Sequence, residues 1–324
     1  MIDINKIVTQ AVEKNATDIH LMVEAKPMYR IGTSLVKMEG GVALKHQDMN
    51  DIYNYFSKQN VAYEFDGVNV DVNLSFSNKV PVCTMKILKN KLLEYDELGL
   101  PEVLRKMTHQ TQGIILVVGN KKSGKTTTLN ALVRNINETQ NKKIITLEKT
   151  IEYTHMPRNS IIVQKRVGED FETYAQGVKN ALKEDCDVLI IEDIRNRETM
   201  ENALEMAEEG HLVIAGINAK SCEDAIEKIG NFYNQNEQSQ IKYALSTILK
   251  LIISQKLILG TKMELELVSE VVVSNDSRQN ISLVDSLAKL YMGNKITLKQ
   301  AKSQLEESDI DKLNKTIMKM RIKK

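Results

Sequence analysis

The chain has 324 residues, 42% of them apolar, and its 44 basic and 43 acidic residues leave a net charge of +1. That length suits two domains with real cores, and the even charge speaks against a dedicated nucleic-acid binder, which carries a basic excess. Three cysteines, Cys83, Cys186 and Cys222, stand far apart with no C-x-x-C spacing; this argues against a disulfide framework or a cysteine zinc site and predicts buried thiols in a reducing compartment. The first residues show no basic n-region followed by an apolar h-region, and no apolar run approaches the ~18 residues that span a bilayer. A cytoplasmic protein is expected, one that reaches a membrane only by docking to a partner.

Apolar residues at Ile4, Ile7, Val8, Ala11 and Val12 predict a helix over 4–15. Short strands follow at 19–23 and 29–31, with a turn at Thr33-Ser34, and a second helix is expected over 47–58. Residues 68–76 alternate apolar and polar, the mark of a half-buried strand, and 80–88 would pair with it across 77–79. The charged stretch 89–111, with Gly99 and Pro101, reads as a link between domains. Beyond it the pattern becomes strand, loop, helix, strand. Strands are expected at 114–118, 143–147, 188–191 and 211–217, and helices at 127–137, 174–183 and 197–209. Such alternation predicts a parallel sheet covered on both faces. The tail, about 283–322, reads as helical and polar.

The strongest local signal is Gly119-Asn120-Lys121-Lys122-Ser123-Gly124-Lys125-Thr126, a G-x-x-x-x-G-K-[ST] phosphate loop between an apolar strand and a helix. Its glycines let backbone N–H groups wrap an anion at the positive end of the helix. Lys125 would reach the β- and γ-phosphates of ATP, Thr126 would ligate Mg²⁺, and Thr127 follows in the first turn. Four apolar residues, 188–191, then deliver Glu192 and Asp193 to a strand's carboxyl end, where ligands of α/β sheets sit. Asp193 would hold Mg²⁺ through water. Glu148, after the strand 143–147, is the candidate to orient or deprotonate the attacking water. His211 and Asn218 bracket the strand 212–217, and a histidine at a strand start is more often structural than catalytic.

The order of these motifs resembles the secretion and type IV pilus motor ATPases. Ala16-Thr17-Asp18-Ile19-His20-Leu21, with Pro27, Arg30 and Gly32, is similar to the family's N-terminal start, and Leu98-Gly99-Leu100-Pro101 to its linker. Thr146 to Glu152 resembles the family's Asp box. Ala181-Leu182 through Asp187-Val188 leads into the acidic strand, followed by Arg195, by Gly210-His211, and by Ile252-Ile253-Ser254-Gln255. Residues 232–241 are similar to a stretch of the pilus-retraction, or twitching-motility, class.

The resemblance implies an α/β protein. A PAS-like α+β domain over 1–98 would be joined by a linker, 99–112, to a RecA-like ATPase domain over 113–324 that ends in a helical tail. It also implies a homo-hexameric ring at the cytoplasmic face of the membrane, working on an inner-membrane pilus platform protein, with ATP/ADP and Mg²⁺ and no zinc or nucleic acid. Retraction of the pilus is the expected output. An assembly motor of the same superfamily, a nucleotide-binding subunit with little hydrolysis, and a RecA-like DNA motor are the alternatives. Some positions depart from the family. Lys149-Thr150 replaces its Asp-Pro, Asp193 stands at its Walker B glutamate, and Asn218 stands at its second histidine. Its N-terminal phosphate-reaching arginines fall at Asp71 and Lys86. Glu148 and Glu152 are retained.

Overall fold

In the computed structural model, residues 3–31, 34–57, 63–65, 68–87, 94–262, 264–274 and 276–322 are described. They form two compact units. One comprises the chain up to Leu92 together with Thr150–Thr154; the other comprises Leu93–Lys149 and the chain from His155 onward.

The first unit is the small α+β domain. Asp3 accepts from the Lys6 amide and caps α1 (Ile4–Glu13), which turns Ile7, Val8 and Ala11 inward. Strands β1 (Asp18–Leu21), β2 (Met28–Ile31) and β3 (Ser34–Lys37) precede α2 (His46–Phe56), and β4 (Tyr63–Phe65), β5 (Val68–Ser77) and β6 (Val80–Ile87) follow it. The six strands form one antiparallel sheet in the order β3-β2-β1-β6-β5-β4. The pairing expected across 77–79 forms, but Ser77 belongs to β5 opposite Val80, and Asn78 and Lys79, both at positive φ, make a two-residue hairpin. Ser34, expected in a turn, instead opens β3 opposite Ile31. That strand is exposed along its whole length, so no apolar alternation announces it. Thr33 and Gly32 lie outside the described residues. The core gathers Ile19, Leu21, Tyr29, Met49 and Met85. The Tyr29 hydroxyl donates to the Ile7 carbonyl at 3.1 Å, and burial pushes its pKa up to about 12.

The second unit opens with α3 (Glu102–Met107). Then come β7 (Gly113–Val118), α4 (Lys125–Thr139), β8 (Lys143–Glu148), β9 (Ile161–Arg166), α5 (Tyr174–Leu182), β10 (Val188–Ile191), α6 (Arg197–Glu208) and β11 (Leu212–Ile217). They are followed by α7 (Cys222–Gly230), α8 (Gln235–Ile248), β12 (Leu249–Leu259), β13 (Leu265–Val273), α9 (Leu283–Met292), α10 (Leu298–Lys302) and α11 (Glu307–Ile322). The sheet order is β13-β12-β7-β11-β10-β8-β9, parallel except for β13 against β12. Every residue of β7, β10 and β11 is buried, which is why these strands read as continuous apolar runs. One core lies on each face of this sheet.

Residues 99–112, read as a linker, are not a free spacer. Tyr95, Leu100, Val103 and Leu104 are buried in the same core as Ile115, Leu132 and Ile253. Their apolar side chains are spaced too sparsely among charges to show as a packed segment. The tail is helical as expected and has its own core, where Leu287 of α9 and Ile317 of α11 meet Val268 of β13. Lys323 and Lys324, at the basic end, lie outside the described residues. All three cysteines are buried and free, and burial raises the thiol pKa of Cys83 and Cys186 to about 12. No helix of the described residues is long and apolar enough to cross a membrane.

Candidate nucleotide site

β7 is the third strand of its sheet, and its carboxyl end runs straight into the phosphate loop, Gly119–Gly124. A side chain on Gly119 would overlap Ser123 and stand 2.6 Å from the Gln255 carbonyl, so the loop's first turn requires glycine. Gly124, at φ +88, is the left-handed N-cap of α4. Lys125, Thr126 and Thr127 form the first turn of α4. Asn120, Lys121 and Lys122 are exposed, whereas Ser123 is buried with its hydroxyl unpartnered among the described residues. Unspent donors around a turn at a helix N-terminus suit a phosphate.

The Lys125 ammonium lies over the loop. It donates to the carbonyls of Gly119 at 2.6 Å and Asn120 at 3.2 Å, and to Asn218 Oδ1 at 2.9 Å. Burial is the largest influence on it and holds its pKa below the usual lysine value, against the opposing pull of Asp193 and Glu192.

The acidic strand ends come together beside it because β7, β11, β10 and β8 are parallel neighbours whose carboxyl ends share one edge. Thr126, Glu148 and Glu192 line one cleft with Asn130 and Thr146. Glu148 is buried, and its Oε1 accepts from Thr146 Oγ1 at 2.6 Å and from Gln164 Nε2 at 3.1 Å. Glu192 Oε2 accepts from the Tyr174 hydroxyl at 3.2 Å and from the Lys149 amide. Asp193 is buried too; its Oδ2 accepts from Arg195 Nε at 2.6 Å and Asn218 Nδ2 at 2.8 Å, while Oδ1 is unpartnered among the described residues.

His211 lies at the opposite edge of this sheet, and two other candidates belong to the first unit. His211 precedes β11, and its carbonyl accepts from the Gly113 amide at the amino edge of the sheet. At ~3.3 Å per residue along β11, it stands roughly 20 Å from the phosphate loop. Its ring contacts the Met206 carbonyl at 3.0 Å, a structural role. Arg30 lies on β2 of the first unit, and Glu152 is paired there with Lys86 at 2.7 Å. Asp71 faces Lys86 across β5 and β6.

Residue-by-residue reading missed three supports. Gln255 on β12 donates to the Ser123 carbonyl, Gln164 on β9 holds Glu148, and Asn218 joins Lys125 to Asp193. A polar residue inside an apolar strand was the available signal for Gln255.

A phosphate loop on a central strand, with acidic ends on strands beyond an intervening neighbour, defines a RecA-like P-loop ATPase. The chain belongs to the type II/IV secretion system protein family, whose model matches residues 60–312. It is 27% identical over 89% of its length to the type IV pilus retraction ATPase PilT of Pseudomonas aeruginosa, covering 88% of that protein. It is 32% identical over 65% of its length to a twitching motility protein of Neisseria gonorrhoeae, covering 58% of it. Among solved structures, the pilus retraction motor PilT with bound ADP superposes with a TM-score of 0.88 at 28% identity, over 96% of this chain and 100% of that one.

Proposed function

We propose that this chain is an ATP-hydrolysing motor that powers type IV pilus retraction, working as a homo-hexamer on an inner-membrane platform protein from the cytoplasmic side. The observation that carries the reading is the joining of an intact phosphate loop to a buried Glu148 and a buried Asp193 at one sheet edge. Its likeness to the retraction motor over nearly the whole chain supports the direction of work.

ATP binds with its phosphates in the loop Gly119–Thr126, where Lys125 exchanges its carbonyl partners for phosphate oxygens. Mg²⁺ suits the residues present: the Thr126 hydroxyl opens α4, and Asp193 keeps one buried oxygen unspent. Held there, Mg²⁺ would supply charge neutralisation at the transferring phosphoryl group. Glu148, held by Thr146 and Gln164, accepts the proton of the attacking water. Hydrolysis then changes the angle between the two units, and that motion around a ring extracts pilin.

The test is steady-state ATP hydrolysis by the purified full chain beside Lys125→Ala and Glu148→Gln, with oligomer size read in parallel. Turnover by a hexamer, lost in both variants, is the expected result; turnover no faster than that of Glu148→Gln overturns the motor reading. Deleting the gene should leave excess pili, whereas loss of pili would identify an assembly motor. A second reading, a nucleotide-binding subunit with little hydrolysis, is favoured by the Arg195–Asp193 ion pair, which occupies one oxygen of the candidate metal carboxylate.

A further inference from the structure

The chain passes from the second unit to the first directly after Lys149 and returns at His155. Glu148, the candidate base, therefore stands just before a segment that belongs to the other unit. Both ends of that excursion are pinned. On the return side the His155 amide donates to Gln164 Oε1 at 2.9 Å, and Gln164 Nε2 donates to Glu148 at 3.1 Å. On the outgoing side the pin is Glu192, the residue directly after β10. Its amide donates to the Leu147 carbonyl at 3.0 Å, and its carboxylate accepts from the Lys149 amide. One residue thus holds the backbone on either side of Glu148. The Tyr174 hydroxyl, at the start of α5, donates to the same Glu192 oxygen at 3.2 Å. Burial first, and then the Glu192 charge, push the Tyr174 pKa up, so this hydroxyl stays a donor. α5 itself lies close on β8, where a Cβ on Gly177 would stand 3.0 Å from the Leu147 side chain. The Glu192 carboxylate is thereby held toward the exit of β8 by a helix packed on that strand.

We infer that Glu192 is the positioning residue of Glu148, clamping the exit of β8 so that the base keeps its place in the cleft it shares with Thr126. This rests on the ATPase reading given above. When the first unit moves, Thr150–Thr154 pull on Lys149 first, and the Glu192 carboxylate stops that pull before it reaches Glu148. The role needs an oxygen that accepts from the Lys149 amide and the Tyr174 hydroxyl together. It needs neither proton transfer nor metal binding by Glu192, which stay with Glu148 and Asp193.

The experiment measures kcat per folded molecule, KM for ATP and the half-saturating Mg²⁺ concentration of the full chain, in the natural protein, Glu192→Ala, Glu192→Gln and Tyr174→Phe. Glu192→Ala should lose about tenfold in kcat, the size of one hydrogen bond to a charged group, with KM and the Mg²⁺ requirement unchanged. Glu192→Gln keeps a carbonyl oxygen with two lone pairs for the same two donors and should recover most of that loss. Tyr174→Phe leaves the Lys149 bond in place, so its kcat should fall by less than that of Glu192→Ala. If Glu192→Gln is as slow as Glu192→Ala, or if either variant needs more Mg²⁺, the charge itself acts as base or metal ligand and the inference is overturned. It is overturned too if Glu192→Ala melts at lower temperature yet turns over unchanged, the mark of a merely structural residue. In each of these cases the ATPase reading stands, whereas a natural chain without turnover overturns both.

Discussion

Gln255 Nε2 donates to the Ser123 carbonyl at 2.9 Å, so a residue inside β12 holds the phosphate loop from a neighbouring strand. Its Oε1 accepts from Thr128 Oγ1 at 2.9 Å, and the side chain is 3% exposed. The amide thereby fixes both the loop and the second turn of α4 from a buried position. Replacing it by alanine leaves a buried carbonyl and a buried hydroxyl unpaired, which costs roughly 1–3 kcal/mol each before relaxation. Gln255→Ala should melt at lower temperature and bind Mg²⁺–ADP about tenfold more weakly. Calorimetry and a thermal melt on one preparation check both, and unaltered nucleotide affinity would remove Gln255 from the binding apparatus.

Glu148 is tied through Gln164 to β9, the edge strand. If it is the base, Glu148→Gln keeps the shape and loses proton acceptance. ATP turnover should then fall by ~10²–10⁴-fold, the usual worth of a general base, while nucleotide binding persists. Gln164→Ala removes only one of the bonds that orient the carboxylate. Its turnover should fall about tenfold, the worth of one charge-assisted hydrogen bond. A Gln164 variant as slow as the Glu148 variant would mean that the amide acts on the water itself.

These residues show where legibility ends. The strands β7, β10 and β11 could be read because burial on both faces leaves an unbroken apolar run, and the phosphate loop because its chemistry lies within eight consecutive positions. Glu148 and Asp193 could be read because carboxylates directly after buried strands reach one sheet edge. Gln255, by contrast, acts on a residue 132 positions away, and Asn218 on one 93 positions away. Only the sheet order brings these pairs together. β9 and α8 carry mixed, partly exposed surfaces, so neither period stands out, whereas α7 does carry a helical period at Cys222, Ala225, Ile226 and Ile229.

His155 closes the loop after β8. Its ring meets Asn130 Oδ1 at 2.7 Å, Asn130 Nδ2 donates to the Thr126 carbonyl at 2.9 Å, and the His155 amide donates to Gln164 Oε1 at 2.9 Å. With Asn130 accepting, the ring is the donor, a role a neutral imidazole fills. Burial, with the nearby Arg134 charge adding to it, lowers the His155 pKa to about 4. The unfolded chain titrates near 6.5 and so binds the proton first as pH falls. Stability should therefore be full above about pH 6.5 and decline between 6.5 and 4, by an amount on the order of 3 kcal/mol. His155→Gln retains a donor and cannot titrate. Melting curves at pH 7 and pH 5 should show a smaller drop for the variant than for the natural chain; equal drops would refute the assignment.

Gly216 lies one residue before the end of β11, where the backbone of the acidic strand end passes closest. A Cβ there would overlap the Glu192 carbonyl oxygen, and the Ile194 amide donates to the Gly216 carbonyl at 2.8 Å. The close pass delivers Glu192 and Asp193 to the sheet edge beside Lys125. Gly216→Ala must push that segment outward, at a cost of about 1–3 kcal/mol from overpacking, and the displacement falls on the Asp193 carboxylate. Turnover per folded molecule should drop along with the melting temperature. Gly210→Ala provides the contrast. That glycine has φ +103 at the far end of the sheet, and its added Cβ would meet nothing closer than Gln112 Oε1 at 3.9 Å. Backbone strain there should lower stability by about 1 kcal/mol and leave turnover per folded molecule unchanged. Equal turnover losses in the two variants would show that destabilisation alone, rather than displacement of the acidic strand end, limits activity.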